Sequence, residues 1–234
     1  MSSTRNPGRV AGLWYLLLIL IGPLRILYIP SKLFVSGNAA ATVNNIAAHE
    51  WLFRIGILDD LVCAVILILL VLAFYRLFKT VDQNLAVQVV IFGGVLPAVI
   101  YLLNAASDLG ALTAVRGAGF LSAFDKPQQD ALAMLFLNMY HHQFTASLIL
   151  AGVWLWPLAL LVYRSRFLPR FLGVWLAIGG LAYVILCFTA VLFPQYQDNV
   201  FSYSQPAFFG EIALTLWLVI KGARPRDGAA SEAD

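Results

Sequence analysis

With 234 residues, 61% of them hydrophobic and 12% charged, the chain lacks the polar surface of a water-soluble domain, which is about 25% charged. Its mean hydropathy of +0.83, with apolar runs recurring at about the 20 residues that cross a bilayer, reads as a polytopic membrane protein with no room for a separate soluble domain. The formal charge of +3 does not suggest a nucleic-acid partner, because the basic residues lie in short connections beside apolar runs. The partner it implies is the lipid bilayer.

In chain order, the runs predict an all-α bundle of six transmembrane helices at residues 10–29, 55–78, 85–109, within 128–163, 171–193 and 205–220. Only helices or a closed barrel satisfy the backbone in lipid, and continuous apolar runs exclude the barrel. Arg5 and Arg9 precede the first run as in a signal peptide. No small-residue cleavage site follows and further spans do, so an uncleaved first helix is expected. Residues 1–222 make up the transmembrane domain, and the polar, small residues 223–234 read as a disordered cytoplasmic tail.

The connections differ in character. Within residues 30–54, Asn38 is placed to cap a helix over 39–53, with Trp51 and Phe53 at the membrane surface. Within residues 110–130, Asp125 is an N-cap, Pro127 suits a first turn, and Gln128 completes a capping box. A helix from there to Tyr163 would be about 54 Å long at helical rise, against a hydrocarbon core of about 30 Å. Its first part, through Met139, is expected to project outward or lie along the surface, with a bend near 141–145 and a kink at Pro157.

Lys and Arg counts set the orientation. With a cytoplasmic N-terminus, that side holds Arg5, Arg9, Arg76, Lys79, Arg164, Arg166, Arg170, Lys221, Arg224 and Arg226, ten in all. The other side holds Arg25, Lys32, Arg54, Arg116 and Lys126, which is five. Both termini are therefore expected in the cytoplasm. Cys63 and Cys187 fall in predicted helices and read as small buried hydrophobes. Arg9-Val-Ala-Gly12-Leu-Trp14 and Arg170-Phe-Leu-Gly173-Val-Trp175 read as one interfacial anchor with a packing glycine, used twice.

Several stretches are distinctive together: Ser31-Lys-Leu-Phe-Val-Ser-Gly-Asn-Ala-Ala-Ala-Thr-Val-Asn-Asn-Ile, Trp51-Leu-Phe-Arg-Ile-Gly56, Tyr163-Arg-Ser-Arg-Phe-Leu-Pro-Arg-Phe-Leu-Gly173 and Pro206-Ala-Phe-Phe-Gly-Glu211. They resemble a family of bacterial integral membrane proteins, the domain of unknown function number 4386. The resemblance extends from Arg9 to Gly222 and implies a six-helix protein of the bacterial cytoplasmic membrane. It implies no activity, cofactor or catalytic residue.

The polar residues of the predicted spans cluster in the outer half. Arg25 ends the first helix, Asp59 and Asp60 open the second, and Asn104 and Asp108 come late in the third. Asn138, His141, His142 and Gln143 precede the apolar part of the fourth, and Glu211 lies about 9 Å into the sixth at helical rise. Ionisable groups in spans are costly and mark candidate sites. The candidate ligand-binding residues are therefore Arg25, Asp59, Asp60, Asn104, Asp108, His141, His142 and Glu211. Arg25 is expected to pair with Asp59, Asp60, Asp108 or Glu211. Asp60 shares a small face with Gly56 and Cys63 and is expected inward, while Asp59 meets a neighbouring helix or snorkels. An ion pair that only packs helices is an equally good account of Arg25 and the two aspartates.

These residues are compatible with a polar, outward-facing cavity that binds a small molecule, an ion or protons, as in a transporter or sensor. A membrane-embedded metal-dependent hydrolase is an alternative, with His141, Asp60 and Glu211 as weak candidate ligands. No His-x-x-x-His or His-Glu-x-x-His spacing supports it, and no cofactor is implied. The third reading is a structural or accessory subunit.

Overall fold

The computed structural model of the chain describes residues 6–224. Among the described residues every regular element is helical. The long helices are α1 (Pro7–Leu33), α3 (Glu50–Phe78), α4 (Gln83–Arg116), α5 (Lys126–Arg164) and α6 (Arg170–Leu192), with α2 at Ala39–Ala48 and α7 at Gln197–Ile220. Five of them, α1, α3, α4, α5 and α6, are long and apolar enough to cross a membrane, which points to a membrane protein. The first half of α7 is diluted by Gln197, Asp198, Asn199, Ser202 and Gln205.

Sequence chemistry sets the breaks and the ends. Pro23 lies inside α1 and lacks the N–H that a regular ladder needs. Just after it, at Leu24–Tyr28, the helix opens into a wide turn in which Ile29 N–H donates to the Leu24 carbonyl. A second wide turn, Ile91–Val95, comes just before Pro97 in α4 and ends with Leu96 N–H donating to the Ile91 carbonyl. Wide turns of this kind recur at functional sites. Asn38 caps α2 through Ala41 N–H at 2.9 Å. Asp125 and Gln128 exchange the two bonds of a capping box at 2.9 and 3.0 Å, which starts α5.

The surface helix expected over 39–53 is shorter. His49, with φ −124° and ψ 39°, ends α2 at Ala48, so Glu50–Arg54 belong to α3. Asn45 Nδ2 donates to the Leu33 carbonyl at 3.2 Å and Val35 N–H donates to Thr42 Oγ1 at 2.9 Å, which fasten α2 back onto the end of α1.

The chain divides into two compact units: the described parts of Met1–Leu16, Leu67–Leu96 and Leu148–Asp234, and Leu17–Ile66 with Pro97–Ser147. Helices α1, α3, α4 and α5 each contribute a part to both. In the first unit Leu70, Phe74, Phe78, Leu155, Leu158 and Leu218 are fully buried. There α5 and α6 touch at Gly152 and Gly180, where a Cβ on Gly152 would come within 2.7 Å of the Gly180 carbonyl. Ala223 is buried, and Gly8 N–H donates to its carbonyl at 3.0 Å. Residues 225–234 of the expected tail lie outside the described residues, as does Arg5.

The second unit has its own core of Ile29, Leu33, Val43, Ile46, Phe53, Ile57, Ala133 and Leu137, among others. Ala133 and Leu137 lie in the early part of α5, which packs in this core by burying its apolar face, and α5 runs as one helix from Lys126 to Arg164.

Candidate functional site

Within the second unit, α1 delivers Arg25 from the wide turn that follows Pro23. The side chain is 2% exposed. Its stem lies on α3 at Gly56, where a Cβ would come within 2.9 Å of Arg25 Cδ and 2.7 Å of Ile29 Cδ1. Glycine at 56 thus lets the arginine pass close along α3. The guanidinium is held by Asp108 of α4, with Nε donating to Oδ2 at 3.0 Å and Nη2 donating to Oδ1 at 2.9 Å and Oδ2 at 2.7 Å. This forked, charge-assisted geometry is the strong form of the interaction. The Tyr140 ring of α5 covers the guanidinium at 3.8 Å, and the rings of Phe34 and Phe53 lie 5.9 and 6.0 Å away, within cation–π range.

Asp60 follows Gly56 by one turn of α3 and is 1% exposed. Its Oδ2 lies 3.9 Å from Arg25 Nε, too far for a hydrogen bond. Its Oδ1 meets the Tyr140 hydroxyl only at 3.5 Å. Asp59 is buried as well and meets the backbone N–H of Arg25. The two neighbours therefore face the same arginine, one at its side chain and the other at its main chain. Asp59 Oδ2, Asp60 Oδ2 and Asn104 Oδ1 are buried with no hydrogen-bond partner. Among the described residues Arg25 is the one buried cation, and Asp59, Asp60 and Asp108 surround it. Fully ionised, the group would carry a net charge of −2 away from water, an arrangement that demands a compensating proton or cation.

The α4 side of the site follows helical spacing. Tyr101, Asn104 and Asp108 fall at i, i+3 and i+7 on one face, and Tyr101 interacts electrostatically with Asp60 and Asp59. Ser107 Oγ donates to Gln143 Oε1 at 3.3 Å. On α5, the buried residues Ala133 and Leu137 share a face with Tyr140. Asn138, His141 and His142 fall on the exposed side, and the two histidine rings contact each other at 5.8 Å. Tyr140 is not among the candidates named from the sequence, although the 133–137–140 period marks it as the inward residue. At the start of α3, Glu50 bridges Arg54 and Arg116: it accepts from Arg54 Nε at 2.6 Å and Arg116 Nε at 3.0 Å.

Glu211 belongs to the first unit. Its carboxylate accepts hydrogen bonds from the hydroxyls of Tyr15 and Tyr183. Tyr15 packs edge-on against Phe74 at 5.9 Å and beside Trp154 at 6.0 Å, and Tyr183 stacks on Phe208 at 4.3 Å. Arg25 therefore pairs with Asp108, and Glu211 with two phenols. Neither tyrosine is legible in the sequence as a partner of Glu211, because a lone tyrosine in an apolar helix gives no signal of its partner. Among the described residues no three His, Cys, Asp or Glu side chains are grouped so as to hold a metal ion.

A family model described as a domain of unknown function, DUF4386, matches residues 10–222. The chain belongs to the DUF4386 family. The matched region contains every residue of both clusters, from Tyr15 to Glu211. A relative from Archaeoglobus fulgidus, named as an uncharacterized protein, is 36% identical over 76 residues, which are 32% of this chain and 44% of that relative. The chain thus spans less than half the length of that relative. No solved structure matches the chain. DUF4386 brings no activity with it, so any functional reading rests on the geometry of the two clusters.

Proposed function

We propose that the chain is a multi-pass protein of the bacterial cytoplasmic membrane, with six spans and both termini inside. In this reading its Arg25 cluster binds an ion, a proton or a small polar molecule arriving from the outer side, as in a transporter or sensor. The observation that carries it is the surplus of acid. Asp108 occupies the guanidinium of Arg25 with three hydrogen bonds, while Asp60 and Asp59 stay buried beside it with unpartnered oxygens. A group built only to pack helices needs one carboxylate for one arginine. The sixth span is α7, whose apolar part follows Pro206, and the ten-to-five excess of Lys and Arg supports the orientation.

A structural or accessory role is the second reading. The Arg25–Asp108 bond favours it, because that bond joins α1 to α4. Thermal unfolding of purified protein separates the two. The wild type is compared with Asp60→Asn in NaCl, KCl and choline chloride at matched ionic strength, and across a pH series. A bound species stabilises the native state by mass action. The binding reading expects the wild-type midpoint to move with one cation or with falling pH, and the Asp60→Asn midpoint to stay flat. Equal responses in the two proteins would leave only the packing role.

A further inference from the structure

Building on the reading above, we infer that the species bound by the Arg25 cluster is the proton, carried on Asp60, with Asp108 as the fixed counter-ion of Arg25. A hydrogen-bond account leads there. The groups facing Asp60 are Arg25 from α1, Asp108 and Tyr101 from α4, Tyr140 from α5, and Asp59 and Cys63 on its own helix. Arg25 spends Nε and Nη2 on Asp108. The Tyr140 hydroxyl reaches Oδ1 of Asp60, at 3.5 Å. Nothing donates to Oδ2 of Asp60. An ionised carboxylate is an acceptor only, whereas a protonated one carries a donor. A proton on Oδ2 lowers the surplus charge from −2 to −1 and turns that orphaned acceptor into a donor.

The α4 face carries an unpartnered acceptor within a turn of the groups that meet Asp60. Asn104 is 3% exposed, and its Oδ1 has no partner. It sits one turn after Tyr101 and one turn before Asp108, and both of these interact with Asp60. A metal ion in place of the proton would need several oxygens converging at about 2.3–2.6 Å for a hard cation such as calcium, and the acids of this cluster are not grouped in that way. Asp59 is the poorer proton carrier, because it already meets the Arg25 backbone N–H. Asp108 is poorer still, because the guanidinium fork stabilises its ionised form.

The step is a reversible protonation: Asp60 carboxylate plus one proton gives the neutral acid, and no co-reactant is consumed. Infrared difference spectra of the full chain in lipid vesicles, at neutral pH in H2O and D2O, test it. The Glu211→Gln background removes the carboxyl of the other cluster. The expected result is a protonated-carboxyl C=O band that shifts in D2O, is lost in Asp60→Asn, moves in Asp60→Glu and persists in Asp59→Asn. In Asp108→Asn the band disappears, because Arg25 is released to pair with Asp60. Size-exclusion profiles and helical circular dichroism establish that each variant is folded. A band that survives in folded Asp60→Asn overturns the assignment. With no band in the parent, a sodium-dependent unfolding midpoint that needs Asp60 would overturn the proton but leave ion binding standing. The absence of both would overturn the two together.

Discussion

Asp60 and Arg25 stand 3.9 Å apart, a separation at which they attract without a hydrogen bond. The guanidinium is turned to Asp108 instead, and the face of Tyr140 closes over it at 3.8 Å. One cation thus serves one acid by a planar fork and meets the other at a distance. The proposed function depends on this inequality.

Planarity matters in such a site. Lysine offers a point charge without the fork or the stacking plane, so Arg25→Lys should not behave as a conservative change. The loss expected is about 1.5–3 kcal/mol, the scale of a charge-assisted hydrogen bond, read from unfolding by denaturing detergent. A variant as stable as the wild type would show that the forked contact with Asp108 contributes little.

Gly56 sets the approach of α1 to α3 in this region. A Cβ there meets the end of Ile29, Cδ1 at 2.7 Å, and the middle of the Arg25 stem, Cδ at 2.9 Å, whose guanidinium Asp108 holds. Gly56→Ala is therefore expected to force a shift of the anchored stem and to cost less than a larger side chain. Gly56→Val adds two methyl groups and should cost about 1–3 kcal/mol through overpacking. Equal stability of the two variants would mean that the arginine stem can move aside freely.

Glu211 is tied to Tyr15 and Tyr183. Tyr15→Phe keeps the ring packing against Phe74 and removes the hydroxyl. It should cost about 1.5–3 kcal/mol if Glu211 is ionised, and about 1 kcal/mol if it is neutral. A double-mutant cycle with Glu211→Gln measures the coupling and separates these cases. No coupling would mean that the phenol and the carboxyl are independent.

Orientation can be read in intact cells. Thr80, between α3 and α4, and Ser122, between α4 and α5, are both exposed. In a background of Cys63→Ala and Cys187→Ala, an impermeant maleimide should label Ser122→Cys from outside and Thr80→Cys only after permeabilisation. The reverse pattern would invert the proposed topology.

Much of this architecture is legible in the sequence, because bilayer thickness and capping chemistry act locally. The apolar runs locate the long helices, and Asn38, Asp125 and Gln128 mark helix starts that side-chain bonds then make. Gly56 and Asp60 share a small face of α3 in the sequence, and Arg25 lies along it. Helix pairing is less legible, because it depends on residues distant in the chain. Nothing near Arg25 selects Asp108, which is 83 residues away, over Asp60. The break at His49 escapes because α2 and α3 are both favourable helices on either side of it. The histidines attract notice by their chemistry, yet the periodicity of α5 turns them outward and turns Tyr140 in.

Two double-mutant cycles by reversible unfolding separate the roles of the two acids, one joining Arg25→Met with Asp108→Asn and the other joining Arg25→Met with Asp60→Asn. Residues in one network show coupling of about 0.5–3 kcal/mol. The coupling expected is near the upper end for Arg25 with Asp108, and less than half of it for Arg25 with Asp60. An Asp60 coupling equal to or larger than that of Asp108 would contradict it, because the acid left over for a ligand would then be Asp108.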